Sequence, residues 1–316
     1  MGALHADTIL DELNSLWASL GGAVRACSLT LIVFAEESDD AAAIGETLAE
    51  LMREHPHRAV VVRIQPGSAP YLEHQVRSQC WMPLGRQEQV CCEQIEITAS
   101  QASLADVVPV LAALRAPDLP LVLWYRSASV FNQPALAPGG FRPDKVIVDS
   151  DAAEPADMLP RLAGSGFPVA DLAWTRLTRW RAIVAQLFES PRALELLPRV
   201  REVRVLYSGG RLPSQALYLA GWILGALGRE VSCRFDEAEG EPGGIQGIEL
   251  PAGEAGLVSV KLSGGAVVTT VDGIRNCAGL PVRSDAELLA EELAIAVPDS
   301  VFREALRHAA RLAVRP

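Results

Sequence analysis

Apolar runs alternate with amphipathic segments along the first two thirds of the chain. Residues 24–35 (VRACSLTLIVFA) form a nearly continuous apolar run rich in β-branched residues, a pattern typical of a strand buried on both faces. Amphipathic segments at 7–20 and 39–54, the second with Ser38 as its predicted cap, have the spacing of helices. Further strands are predicted at 58–64, 87–98, 120–125 and 145–148, and a helix at 103–115. The segment at 71–82 could be a strand or a helix. This alternation predicts an α/β fold whose sheet is largely parallel or mixed and flanked by helices.

A second series of elements follows a long helical pattern. That helix is predicted at 171–189, where Asp171 caps its start and Ser190-Pro191 ends it. Beyond a connector, the predicted elements are strands at 203–207, 230–235, 246–250, 257–262 and 266–271, and helices at 215–227, 285–296 and 299–314. The alternating strands indicate a smaller α/β module with antiparallel strands and C-terminal helices. We therefore expect two domains, residues 1–192 and 193–316.

Charge and cysteine content narrow the functional classes. The chain has 28 basic and 39 acidic residues, a formal charge of −11. Nucleic acids and anionic membranes need a dense basic face, so neither is expected as a partner. The N-terminal segment does not resemble a secretory signal, and the apolar stretch at 212–228 is too short and too polar to span a membrane. The six cysteines lack metal-ligand spacing, and we expect reduced thiols in a cytoplasmic protein rather than a disulfide framework.

The helix predicted at 171–189 is the strongest candidate binding element. Its arginines and tryptophans are Trp174, Arg176, Arg179, Trp180 and Arg181. Guanidinium groups bind oxyanions in a bidentate manner and stack on indole rings, so this cluster suits an anion or a partner protein. Structural ion pairs and core packing explain the same residues equally simply.

Other candidate sites are weaker. Asp149 and Asp151 follow a predicted strand and have the spacing of a divalent cation site, although acidic loops are common. Arg211 ends a Ser-Gly-Gly-Arg segment between strand and helix that suits either phosphate or a plain turn. Glu93 lies on the apolar face of its predicted strand and should have an arginine partner. No metal, cofactor or catalytic constellation is predicted.

Six segments in order resemble the OpcA family of glucose-6-phosphate dehydrogenase assembly proteins. These segments are RACSLTLIVF, HPHRAVVV, QVCCEQIEI, DLPLVLWYR, DKVIVDS and DLAWTRLTRWR, and LYLAGWILGALG extends the resemblance more loosely. The resemblance implies a non-catalytic partner that binds glucose-6-phosphate dehydrogenase and promotes its active state in the oxidative pentose phosphate pathway. It also implies redox control, but the sequence does not decide whether Cys91, Cys92, Cys233 or Cys277 takes part, and self-association stays open.

Two alternatives of other classes remain at this point. One is a glycosyltransferase-like enzyme acting on sugar phosphates or nucleotide sugars, with Asp149 and Asp151 holding a metal and Arg181 or Arg211 holding phosphate. The other is a degenerate enzyme that keeps a sugar-phosphate pocket as a sensor.

Overall fold

The computed structural model describes residues 4–83, 85, 88–240 and 244–314. The chain groups into two compact units. The first comprises Met1–Asp149, Gly166–Ala170 and Ser284–Ala296, and the second comprises Ser150–Ser165, Asp171–Arg283 and Val297–Pro316. Because the units interleave along the sequence, they do not correspond to a single cut, and the boundary expected between residues 192 and 193 stays a prediction.

The first unit is built on one eight-stranded sheet within the described residues. Its strands are β1 (Val24–Arg25), β2 (Leu29–Glu36), β3 (His57–Gln65), β4 (Leu72–Trp81), β5 (Val90–Ser100), β6 (Leu121–Tyr125), β7 (Lys145–Val148) and β8 (Val169–Asp171). Its helices are α1 (Ala6–Ser19), α2 (Ala41–Leu51), α3 (Leu104–Leu114), α4 (Ala128–Phe131) and α10 (Asp285–Ala294). The strand order is β1-β5-β3-β2-β6-β7-β8, with β4 added antiparallel to β5. The central strand β2 is parallel to both neighbours and buried along nearly its whole length, as its apolar run predicts.

The second unit has a six-stranded sheet within the described residues, ordered β10-β9-β11-β12-β13-β14. The strands are β9 (Glu202–Tyr207), β10 (Ser232–Glu237), β11 (Ile245–Pro251), β12 (Leu257–Ser263), β13 (Ala266–Val271) and β14 (Ile274–Gly279). The helices are α5 (Pro155–Ala163), α6 (Leu172–Thr175), α7 (Thr178–Leu187), α8 (Pro191–Leu196), α9 (Ser214–Leu227) and α11 (Ser300–Ala313). Only β9 and β10 pair in parallel, and the other neighbours are antiparallel. The predicted α/β fold class, with a largely parallel sheet and then antiparallel strands with C-terminal helices, is confirmed.

Several local predictions needed correction. The run at 24–35 is interrupted between β1 and β2, and the segment at 71–82 is the strand β4. Asp40 rather than Ser38 caps α2, because its carboxylate accepts the amides of Ala42 and Ala43. The helix predicted at 171–189 is divided into α6 and α7. The strand predicted at 87–98 starts at Val90, and Gln87 lies outside the described residues.

The expectation that every cysteine is a free thiol is wrong for one pair. Cys80 on β4 lies directly opposite Cys91 on β5, and the two form a disulfide across a Cα–Cα distance of 4.0 Å. Sequence spacing could not reveal this pairing because it depends on the strand register. The described free cysteines are Cys27, Cys92, Cys233 and Cys277. None of the described helices is long and apolar enough to cross a membrane.

Candidate functional site

A buried carboxylate at the start of α6 organises the candidate site of the second unit. Asp171 is fully buried, and its Oδ1 accepts the amides of Ser150 and Ala173, each at 3.0 Å. Its Oδ2 accepts the hydroxyl of Tyr218 on α9 at 2.7 Å. A buried carboxylate needs such donors because burial removes its water. Asp171 therefore ties the segment after β7, the helix α6 and the helix α9 together.

Tyr218 joins this polar cluster to an aromatic core. Its ring centroid lies 6.0 Å from that of Trp174 and 5.8 Å from that of Phe302 on α11. Burial, and then the neighbouring Asp171 carboxylate, raises the pKa of Tyr218 well above its usual value, so the hydroxyl stays a donor. Tyr218 was not predicted from the sequence as a site residue. The one available signal was a tyrosine inside an otherwise apolar helix, since a buried phenol requires a partner.

The arginine and tryptophan cluster is divided between core and surface. Trp174 and Trp180 are 3% and 4% exposed, so both are core side chains. The guanidinium of Arg181 lies 3.7 Å from the Trp174 ring centroid and donates to Thr178 Oγ1. Arg179 is exposed. Of the five predicted residues, Arg179 is thus the exposed one, whereas the two tryptophans are buried beneath the helix surface.

Asp151 and Arg211 are also brought together. Asp151 Oδ2 accepts Gln215 Nε2 at 2.6 Å, its Oδ1 accepts the Gln215 amide at 3.3 Å, and Arg176 lies 3.8 Å away. The guanidinium of Arg211 donates to the backbone carbonyls of Asp151 and Ala153. Asp151 thus covers the N-terminal turn of α9, the place where an anionic ligand would otherwise bind.

The segment Ser208–Arg211 bends sharply between β9 and α9, in agreement with the plain turn that was one of its two interpretations. Gly209 and Gly210 have φ values of 101° and 74°, which are accessible mainly to glycine. The amide of Gly210 donates to the Glu237 carboxylate at 2.7 Å. An amide that a phosphate would need is therefore already bonded to a side chain of the same unit.

The geometry does not support a divalent cation site at Asp149 and Asp151. Among residues 4–83, 85, 88–240 and 244–314, no group of three or more His, Cys, Asp or Glu side chains could hold a metal ion. Asp151 is bonded to Gln215 instead.

Glu93 has the arginine partner that its buried position predicts, and it belongs to the first unit. Arg58 Nε and Arg25 each lie 2.6 Å from the carboxylate, and Trp17 Nε1 donates to it at 2.6 Å. Arg58 also donates to the Leu114 carbonyl. With three donors already in place, Glu93 is a structural ion-pair centre rather than the edge of an open pocket.

The first unit has the sheet topology in which α/β proteins often bind ligands. From β2 the chain continues through α2 to β3 on one side, whereas β6 lies on the other, and such switch points open at the carboxyl ends of the strands. Here Asp40 caps α2, and Asp39 accepts the amide of Glu36 at 2.7 Å. Arg126, at the end of β6, lies 3.5 Å from Asp39 and 3.0 Å from Asp285. The chain's own carboxylates therefore occupy the groups that would bind a phosphate.

Three of the cysteines considered for redox control differ in environment. Burial raises the pKa of the Cys92 thiol to about 11, so it stays protonated and unreactive at neutral pH. Cys91 is in the disulfide, whereas Cys277 is an exposed free thiol on β14. Redox control stays a prediction.

Two family models match consecutive parts of the chain. The family model for the N-terminal domain of the glucose-6-phosphate dehydrogenase subunit matches residues 48–164, and the model for its C-terminal domain matches residues 167–306. OxPP cycle protein OpcA of Nostoc punctiforme is 30% identical over 56% of this chain and 39% of its own length. The Synechococcus elongatus protein of that name is 28% identical over 55% and 40%. The chain thus spans about two fifths of these relatives.

Among solved structures, biliverdin reductase from Synechocystis sp. PCC 6803, in complex with biliverdin and NADP+, aligns over 90% of this chain and 98% of its own. The identity is 12% and the TM-score is 0.44, a level from which nothing about activity follows. The family assignment rests instead on the two consecutive domain models, which together cover most of the sequence. The chain belongs to the OpcA family of glucose-6-phosphate dehydrogenase subunit proteins.

Proposed function

We propose that this chain is a non-catalytic partner of glucose-6-phosphate dehydrogenase that binds the enzyme and favours its active state. The observation that carries the proposal is the pair of domain models for the dehydrogenase subunit, matched in order along the chain. Through that association the protein would act in the oxidative pentose phosphate pathway. A cytoplasmic location is part of the same proposal, since the substrate of that pathway is a cytoplasmic sugar phosphate.

The geometry of the anion-binding positions supports a role other than catalysis. Asp40 caps α2, Asp151 covers the start of α9, and Glu237 holds the Gly210 amide. A phosphate bound at any of the three would have to displace a carboxylate from donors that this carboxylate already satisfies. In the nucleotide-sugar alternative, Asp151 and Arg211 would bind the metal and the phosphate of the ligand. Both side chains are instead hydrogen-bonded to other groups of the second unit. No observation favours this alternative over the partner role.

Activation by binding follows from linkage. If the protein binds the substrate-competent form of the dehydrogenase more tightly than the other form, it shifts the population toward that form. The shift is limited by the difference between the two affinities, and about 1.4 kcal/mol gives a factor of ten. Arg176 and Arg179 are our candidates for contact with the enzyme, with Trp174, Trp180 and Arg181 supporting them.

The test uses the full chain and the purified dehydrogenase of the same cell. Size-exclusion chromatography with light scattering measures the complex, and the rate at limiting glucose 6-phosphate is recorded with and without the protein. We expect a complex and a faster rate at limiting substrate. Absence of both would contradict the proposal, and so would turnover of a sugar phosphate by the isolated protein.

A further inference from the structure

The strand β14 forms an open edge of the second unit's sheet. It ends the strand order, and its sheet partner is β13. Five of its six residues are exposed, and Ile274 is 69% exposed. A strand in this position presents a row of unpaired amide and carbonyl groups, which another extended segment can pair with.

Two other edge strands, β4 and β10, carry more charge than β14. The edge strand β4 carries Glu73 and Arg77, and the edge strand β10 carries Arg234, Asp236 and Glu237. Charged side chains disfavour pairing with a foreign strand because the pairing would desolvate them. In β14 the sequence is IRNCAG, with a single charged residue. This edge therefore lacks the usual protection.

The turn before β14 determines which backbone groups face outward. Asp272 and Gly273 form a two-residue loop between Val271 and Ile274, with φ values of 50° and 84°. Positive φ at both positions is the signature of a type I′ hairpin turn, in which the flanking pair exchanges two hydrogen bonds. Because hydrogen-bonded and non-bonded pairs alternate, the amides and carbonyls of the residues at 275, 277 and 279 point away from β13.

A groove lined by both apolar and polar side chains lies beside this edge. A cavity of about 340 Å³ is bordered by the end of α7 and by β13 and β14. Its apolar lining includes Ile183 and Leu187 from α7, and Val271 and Ile274 from the hairpin. A strand added to β14 would place every second side chain on the groove's face of the sheet. The groove therefore fits an extended segment with apolar residues at alternate positions.

Two arginines near this edge favour an acidic partner. Arg275 is exposed on β14, on the face of the sheet opposite the groove-lining Ile274, and Arg179 lies one helical turn before Ile183 on α7. The arginine that lines the groove itself, Arg192, is already paired with Glu195 and Asp272. Neither Arg275 nor Arg179 has an ion pair within the part of the chain that the structure describes, although the whole chain carries a charge of −11. Polar positions of the incoming segment would therefore be occupied best by Asp or Glu.

We propose that β14 is a strand-addition site, at which an extended segment of the partner pairs with residues 275–279. The segment alternates apolar side chains, which enter the groove, with polar and acidic ones. This inference rests on the proposed function, because we assign the segment to glucose-6-phosphate dehydrogenase. Main-chain pairing would supply affinity, and the groove would supply specificity.

The substitution Cys277→Pro tests the site because it removes one outward amide while the pairs with β13 on either side remain. Cys277→Ser is the matched control, since it removes the thiol and keeps the amide. We expect Cys277→Pro to weaken the complex with the purified dehydrogenase by about tenfold or more, and Cys277→Ser to bind like wild type. Arg275→Glu should also weaken binding, whereas Arg234→Glu on the opposite edge should not.

Amide hydrogen exchange tests the same site in the wild-type protein, without a substitution. The amides of Arg275 and Cys277 should exchange several-fold more slowly in the complex than in the free protein. Wild-type binding with unchanged exchange there, or unchanged affinity in a folded Cys277→Pro variant, would overturn the strand-addition site and leave the proposed function intact. No binding by wild type would overturn both. A dimer of the isolated protein that Cys277→Pro dissolves would assign the edge to a second copy instead.

Discussion

At the scale of single residues, two buried carboxylates are each held by several donors. Glu93 binds Arg58, Arg25 and Trp17 in the first unit, and Asp171 binds two amides and Tyr218 in the second. Removing one donor lowers the free energy of unfolding most where the carboxylate that remains is buried. Burial therefore decides how much each partner contributes to stability.

The two arginines on Glu93 give a matched comparison. The Arg58 side chain is 7% exposed, whereas that of Arg25 is 46% exposed. We expect Arg58→Ala to lower the free energy of unfolding by about 3–5 kcal/mol because it leaves a buried charge underpaired. Arg25→Ala should cost less than about 1 kcal/mol, since solvent screens that pair. Urea denaturation of both variants measures the difference, and equal losses would contradict this account.

His57 should make stability depend on pH. It is buried, its Nδ1 lies 2.7 Å from the His55 carbonyl, and burial lowers its pKa below 6.5. Below pH 6.5 the unfolded chain binds a proton at this ring that the folded chain does not yet bind. The free energy of unfolding should therefore fall as the pH drops below about 6.5, and His57→Gln should reduce that fall. A pH dependence between about 7 and 5 that is identical in both proteins would refute the assignment.

Arg179 and Trp180 are adjacent in sequence and should differ in effect. Arg179 is exposed and Trp180 is 4% exposed. Arg179→Ala should weaken binding of the dehydrogenase by several-fold and leave the melting temperature unchanged. Trp180→Ala should instead lower the free energy of unfolding by about 3–5 kcal/mol through the cavity it leaves. Calorimetry and titration of each variant separate the two effects, and a destabilised Arg179→Ala protein would contradict the surface role.

At the scale of elements, the close approach of α9 and α11 depends on one glycine. A Cβ at Gly221 would lie 2.8 Å from the Ala305 carbonyl oxygen and 3.0 Å from the Ala309 nitrogen. At Gly225, four residues later on α9, it would lie 3.5 Å from the Glu304 side chain. The first position has no space for a methyl group because its neighbour is backbone, whereas the second has ordinary contact.

These two glycines provide a test within one helix. Gly221→Ala should destabilise the protein by about 1–3 kcal/mol because the helices must separate. Gly225→Ala should be neutral or stabilise by up to about 1 kcal/mol, since alanine favours the helix. Thermal unfolding compares the variants, and a stabilised Gly221→Ala protein would show that the two helices do not pack this closely.

The sequence predicted elements well where one physical signal dominated. The buried strands β2, β3 and β6 were found because their apolar runs are uninterrupted, and Asp171 was correctly assigned as a cap. The helix α5 was missed because it contains Pro160 as well as a proline at its first position. The strand β14 was missed because its polar residues and glycine hide its pattern, which only pairing with β13 reveals.

The candidate site was predicted in composition but not in arrangement. The sequence identified Asp151, Arg176 and Arg211, which the structure brings together. Which carboxylate accepts which donor depends on contacts between residues far apart along the chain, such as Asp151 with Gln215. The Cys80–Cys91 disulfide was missed for a related reason, because the register of β4 on β5 determines it.

At the scale of the whole molecule, the chain carries 39 acidic and 28 basic residues and a net charge of −11. Carboxylates cap α2 and cover α9, so the acidic residues also fill positions where enzymes of similar topology bind phosphates. The exposed Arg179 lies on α7 and the exposed Arg275 on β14, the two elements that border the groove. This distribution suits a chain that presents a docking surface to another protein.

The most direct measurement of the central claim is a linkage cycle with the purified dehydrogenase. The dissociation constant of the complex is measured with and without glucose 6-phosphate, and that of glucose 6-phosphate for the dehydrogenase is measured with and without this protein. We predict that substrate tightens the complex and that the protein tightens substrate binding by the same factor, because the coupling is reciprocal. A complex whose affinity is unchanged by substrate would contradict activation through the substrate-competent form, and absence of any complex would contradict the partner role itself.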